Sequence, residues 1–221
     1  MRCGKLFAMT TLRDRKKQRT RQAIIDAATE LFTRQGYERT TIAEIAAAAD
    51  IGTRTFFSYF ATKEELLFPQ SDDRVRVALD AIANRRPGDS PAEVLLRAVR
   101  DAAAADNDMV SPLAALRMDL IQTVPSVRGY GLHLQVEAGR EIAHHLRGAY
   151  PDQLDEVSAS ALVGAMMGAV SGALLVLLED RAAVARGPEY LKEQVQHAME
   201  VALRPWALFA AEQPSSSESS G

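Results

Sequence analysis

Residues 41–60 read TIAEIAAAADIGTRTFFSYF, and the reading of this stretch decides the fold. Thr40 or Thr41 offers an N-cap hydroxyl, and Ile42, Ile45 and Ala46 recur at the spacing of one helix face, which predicts a short helix over Ile42–Ala49. Asp50-Ile51-Gly52 breaks it as a turn, and Thr53–Tyr59 forms a second short helix. Two short helices joined by a tight glycine-containing turn have the spacing of a helix-turn-helix. Any helical bundle contains such corners, so the flanking residues have to supply the specificity.

Toward the N-terminus, a helix is predicted over Arg15–Gln35, with Ile24, Ala27, Ala28, Leu31 and Phe32 on one apolar face and Gly36 just past its end. Toward the C-terminus, Thr62 is placed to cap a fourth helix running from Lys63 to Arg86, where Pro87-Gly88-Asp89 stops it. A helix of about 20 residues spans about 30 Å, so this element is expected to act as a rod carrying movement between two parts of the chain. Ser90-Pro91-x-Glu93 is a capping box that starts a fifth helix, and Ser111-Pro112 and Val124-Pro125 open the sixth and seventh. An eighth is predicted over Asp152–Arg181, and a ninth from Gly187-Pro188 to about Ala211. Strand signals are almost absent, so the chain reads as all-α with about nine helices.

The string that runs through Arg21, Ile24, Ala27, Ala28, Leu31, Phe32, Gly36, Tyr37, Thr40, Thr41, Ile42, Ile45 and Ala46, then Ile51, Thr55, Phe56, Phe57, Tyr59, Phe60, Lys63, Glu64 and Leu66, resembles the DNA-binding domain of the TetR family. The resemblance covers about Lys17 to Leu67. It implies a helix-turn-helix domain over 15–67, after a disordered basic leader at 1–14. A helical ligand-binding and dimerisation domain over 68–211 follows, with a disordered tail at 212–221. It also implies base-facing positions for Thr53, Arg54 and Phe57 and backbone-facing ones for Thr41, Tyr59 and Lys63. Arg54 has the fork for guanine O6 and N7, while Thr53 and Phe57 suit a thymine methyl. Lys63 is expected to add charge at the start of the fourth helix, beside free N–H groups. Arg54 stands where the commoner family pattern has a small residue, and Thr53 where it has a basic one.

Charge agrees with this division. Residues 1–68 carry 12 Lys and Arg against 8 Asp and Glu, and the remainder carries 14 against 21. A basic head on an acidic body suits a polyanionic partner for one part only. Six of the nine residues Arg13–Arg21 are basic, as expected of a phosphate or minor-groove arm.

In the eighth helix, Gly164, Gly168 and Gly172 recur every four residues, leaving a face without bulk that another helix can approach closely. An internal groove would use the same stripe. A two-fold interface is favoured, because the resemblance implies a homodimer and a palindromic operator needs two readers. Met118, Tyr130 and Met166, with Gln122 and His133 as polar handles, are expected to line an effector pocket among helices five to eight. The segment Leu120–Arg128 followed by Glu137–Ala143 is similar to a TetR subgroup with acyl-thioester-like ligands, which points to a small apolar effector.

Residues 161–178 are uncharged, at the lower edge of a membrane span, but they are rich in small residues and flanked by Asp155, Glu156, Glu179 and Asp180, so spanning is not expected. The single cysteine, Cys3, and an apolar run of only three residues near the start point to a reducing, cytoplasmic setting. Catalytic, cofactor and metal sites are not expected. Ser171 sits one residue off a G-x-S-x-G pattern and inside a helix, and the adjacent His144 and His145 point about 100° apart. The competing classes are a helical enzyme, which lacks its constellations, and a purely structural bundle, which has no use for the basic arm.

Overall fold

A computed structural model describes residues 12–105 and 111–211. Among them the regular structure is entirely helical, as the sequence predicts. The chain divides into two compact units, Met1–Pro69 and Gln70–Gly221, where the sequence reading put the boundary after Leu67.

The first unit contains α1 (Leu12–Gln35), α2 (Ile42–Ala48), α3 (Thr53–Phe56) and a 3-10 turn at Glu64–Leu67. Helix α1 begins at Leu12, so residues 12–14 are helical rather than part of a disordered leader, and residues 1–11 and 212–221 lie outside the described residues. Arg, Lys and Gln lose little rotamer freedom in a helix, which lets the basic run continue α1 outward. Gly36 ends the helix at φ +88°, a left-handed conformation that only glycine adopts without strain.

The predicted fourth helix from Lys63 to Arg86 does not form. Pro69 breaks it: proline cannot donate to the helix ladder and disfavours helical geometry at Phe68, whose φ of -126° and ψ of 48° leave the helix. What remains is the four-residue 3-10 turn and, after the break, a separate helix α4 (Ser71–Ala83). The continuous rod expected of this stretch is therefore absent.

The second unit continues with α5 (Pro91–Ala105), α6 (Pro112–Thr123), α7 (Pro125–Ala149), α8 (Glu156–Glu179), α9 (Arg181–Ala185) and α10 (Pro188–Ala211). The capping box forms as read: Glu93 N–H donates to Ser90 Oγ at 3.3 Å, and Ser90 N–H donates to Glu93 at 2.7 Å. The eighth helix is shorter at both ends than predicted. Asp155 accepts from Ser158 N–H and sets the start, while Asp180 accepts from Ala182 N–H and begins the extra helix α9. One core joins Ala78 and Ile82 of α4, Leu95 of α5, Leu146 of α7, Leu162 and Met166 of α8, and Met199 and Leu203 of α10.

A polar knot closes this core beside α5. Asp89 accepts from Arg86 N–H at 2.9 Å and pairs with Arg97 at 2.7 Å, while Tyr150 at the end of α7 donates its hydroxyl to the Asp89 carbonyl at 2.9 Å. The Arg86 N–H, then Arg97, holds the Asp89 carboxyl below its ordinary pKa. The Thr41 N–H does the same for Glu44, and the Ser158 N–H for Asp155. A carboxylate whose folded pKa is depressed stabilises the fold above its ordinary pKa and loses that contribution as pH falls through the folded value. The thermal midpoint should therefore fall on acidification below about pH 4, and Asp89→Asn should blunt that fall. Calorimetry of both proteins across this range is the check, and identical pH profiles would remove Asp89 from the account.

Candidate DNA-binding site

The helix-turn-helix is held by an aromatic and aliphatic mini-core. Ile24, Ala28, Leu31, Ile45, Ala46, Phe56 and Phe60 are buried, as their helical faces predict, and Ile42 is half-buried. Leu66 and Leu67 from the 3-10 turn join them. The Phe56 ring lies edge-on to Phe57 at 5.5 Å and 6.0 Å from Phe60, so one buried aromatic sets the angle of α3.

The cap of α2 is Thr41. Its hydroxyl accepts from Glu44 N–H at 3.2 Å, and its own N–H donates to Glu44 at 2.8 Å. Thr40 is buried and donates to the Gly36 carbonyl instead. In the following turn the left-handed residue is Asp50, at φ +52°, whereas Gly52 is extended and serves as the N-cap of α3. Aspartate tolerates this region better than most residues.

Helix α3 is shorter than the predicted Thr53–Tyr59. Regular α-helix ends at Phe56, and the chain tightens through 3.1 Å and 2.9 Å bonds from Ser58 N–H to Thr55 O and from Tyr59 N–H to Phe56 O. Phe60 N–H still returns to the Phe56 carbonyl at 3.1 Å, which keeps both rings on the buried face. Thr53, Arg54 and Phe57 are exposed; Phe57 keeps 56% of its surface in water, although it is a large apolar side chain. Thr53 and Phe57 are four residues apart and share a face, with Arg54 beside them.

Next to this face lies an open groove of about 610 Å³, lined by Arg13, Asp14, Lys16, Lys17, Thr20, Ser58 and Tyr59. Four cations or hydroxyls of α1 thus face the end of the α3 turn in one concave surface. Tyr59 was among the residues expected here. Thr20 and Ser58 were not, because only the packing of α1 beside the end of the α3 turn brings these two hydroxyls to one surface, and spacing along the chain gives no measure of that.

Lys63 is placed otherwise than expected. It begins no long helix, and its ammonium donates to the carbonyls of Tyr37 at 2.8 Å and Thr40 at 3.1 Å while resting 4.1 Å from the Tyr37 ring centre. It reaches back to hold the loop before α2. Lys63→Met should therefore destabilise the unit by about 1–3 kcal/mol through lost charged hydrogen bonds, with little change in the salt dependence of DNA binding. Urea unfolding measures the first effect; a salt slope lowered by one would return Lys63 to the phosphate-contacting set.

Residues 24–68 match the family model described as bacterial regulatory proteins, tetR family. Residues 24–68 therefore carry a TetR-type DNA-binding segment. It is 36% identical over 120 residues to the HTH-type transcriptional regulator TcmR of Streptomyces glaucescens, covering 53% of each chain. It is 48% identical over 48 residues to the HTH-type transcriptional regulator HbdR of Aromatoleum sp. (strain CIB), covering 22% of this chain and 21% of that one. The matches thus span about half of TcmR and a fifth of HbdR. The crystal structure of Thermus thermophilus FadR, a TetR-family repressor in complex with lauroyl-CoA, shares the fold at a TM-score of 0.55, with 23% identity, 91% of this chain and 99% of that one covered. The TetR-type architecture, a helix-turn-helix unit followed by a larger helical unit, therefore holds for both parts.

The residues expected to line an effector pocket fall on α6, α7 and α8. Met166 is buried in the core, Met118 and Tyr130 are half-buried, Gln122 donates to Glu179 at 2.8 Å, and His133 is exposed on α7. A described cavity of about 200 Å³ lies instead between α5 and α10, lined by none of the five. Gly164, Gly168 and Gly172 lie on an exposed face of α8, and a Cβ added to any of them would meet nothing within 4 Å.

Proposed function

We propose that the protein is a ligand-responsive transcriptional repressor that binds a palindromic operator as a homodimer. The observation that carries this reading is the exposed face of Thr53, Arg54 and Phe57 beside the basic groove of α1 and Tyr59. The α3 face reads base edges in the major groove, while Arg13, Lys16, Lys17 and the hydroxyls of Thr20, Ser58 and Tyr59 hold phosphates. Thr41 stays at the backbone-facing edge, its hydroxyl shared with Glu44.

Dimerisation is supported by α8. It is long and apolar enough to cross a membrane by length and composition, yet only 22% of its most apolar window is buried. Val157, Ala161, Gly164, Gly168, Gly172 and Val176 form one exposed stripe along it. In water such a stripe favours a partner, and a second copy of α8 and α10 forms a four-helix bundle there. On this reading the helix packs protein rather than lipid, and the regulator works in the cytoplasm. A small apolar effector, acyl-chain-like in character, releases it from DNA. Whatever ligand weakens DNA binding a hundredfold must itself bind about 2.7 kcal/mol more weakly to the DNA complex.

The test is a gel shift and footprint on the DNA flanking the protein's own gene. A protected palindrome with binding that weakens steeply with salt supports the proposal. Failure to distinguish that DNA from random sequence would end it.

A further inference from the structure

The cavity between α5 and α10 has an apolar floor and a charged mouth. Leu96 and Val99 of α5 face Val195 and Met199 of α10 across it, and Ala103 and Ala104 leave the space that larger side chains would fill. Val195 and Met199 are buried, so the floor belongs to the packed interior, not to a surface wrinkle.

The mouth carries Arg100, Lys192, Glu189, Glu193 and Gln196. Gln196 is engaged with Glu200 at 3.1 Å. Lys192 pairs with Glu189 at 3.1 Å, but the two ends of that pair are placed unequally: the lysine side chain keeps 16% of its surface, and the glutamate keeps 82%. Positive charge therefore lies deeper than negative. Arg100 is exposed at the rim and makes no ion pair with a described residue, while Glu193 is exposed and screened by water. An incoming anion meets a free guanidinium fork and a deep ammonium, with its carboxylate rival held outside.

We propose that this cavity binds a small amphipathic monocarboxylate, its apolar body on the Leu96, Val99, Val195 and Met199 floor and its carboxylate on Arg100. The volume of about 200 Å³ is below the roughly 300–1,000 Å³ of drug-sized pockets, which limits the occupant to on the order of ten non-hydrogen atoms. That size excludes a long acyl chain and fits a molecule such as octanoate. The inference deepens the effector-responsive reading by naming the effector's class and seat, and it rests on that reading for its purpose. Binding itself is independent of DNA.

The experiment is titration calorimetry of octanoate into the full-length protein, with octan-1-ol and octylammonium as probes of the same chain length. Octanoate should bind with a Kd of about 0.1–1 mM, and octylammonium should not bind measurably. Arg100→Gln should weaken octanoate about tenfold and leave octan-1-ol unchanged, because only the charged hydrogen bonds are lost. Ala103→Trp fills the cavity and should abolish both, with circular dichroism reporting that the helices remain; Arg100→Gln, on the exposed rim, carries the test if they do not. Absence of octanoate binding at tenfold that concentration, or binding undiminished in both variants, overturns the proposal. A protein that takes octanoate but ignores DNA would refute the regulatory reading while leaving this site standing.

Discussion

On the proposed α8 dimer, Gly168→Leu should separate the subunits and lower operator affinity by about 10²–10⁴-fold, although it touches no proposed DNA-facing residue. Within one subunit the substitution has room, since a Cβ at Gly168 meets nothing within 4 Å. Leucine also favours a helix more than glycine does, so the isolated fold should be unharmed or slightly more stable. The cost appears only where a second α8 crosses close by. Losing that crossing uncouples the two half-sites, and each helix-turn-helix then binds alone. Sedimentation gives the oligomeric state, and a gel shift gives the affinity. A mutant that stays dimeric with normal DNA binding would show that the glycine stripe faces something other than its copy.

Arg54→Ala should cost about 1–3 kcal/mol at each half-site and relax base preference there, while non-specific binding falls little. Arg54 is exposed and donates to no described residue, so the fold does not depend on it and the loss reports on DNA directly. Competition between the operator and random duplex measures the ratio. Equal loss on both would move Arg54 from the base-reading set to the phosphate-contacting set, beside Lys16 and Lys17.

What was legible in the sequence is what local chemistry decides. Ser90, Ser111 and Asp155 each accept an N–H as helix caps, and for the two serines a following proline marked the start without any knowledge of packing. The buried faces of α1 and α2 followed from spacing. The predicted fourth helix rests on the Thr62 cap and the stop at Pro87-Gly88-Asp89, and Pro69 between them is the stronger signal. Lys63 shows a second limit: its two carbonyl partners lie 23 and 26 residues earlier, and spacing gives no measure of such a contact. Met166 shows a third: periodicity says that it turns inward, and only the packed structure shows that it turns into the core shared by α4, α5, α7, α8 and α10.

Arg21 of α1 rests its guanidinium 4.7 Å from the Phe60 ring and donates to the carbonyl of Pro69 at 2.8 Å. The first unit therefore closes on itself through its own last residue, one position before the chain passes on at Gln70. In genetic terms, this is a seam. Recombination that joins a different partner after codon 69 cuts neither the hydrogen bond that closes the first unit nor the guanidinium–ring contact beneath it, so this unit can be inherited as a cassette while the downstream sequence is exchanged.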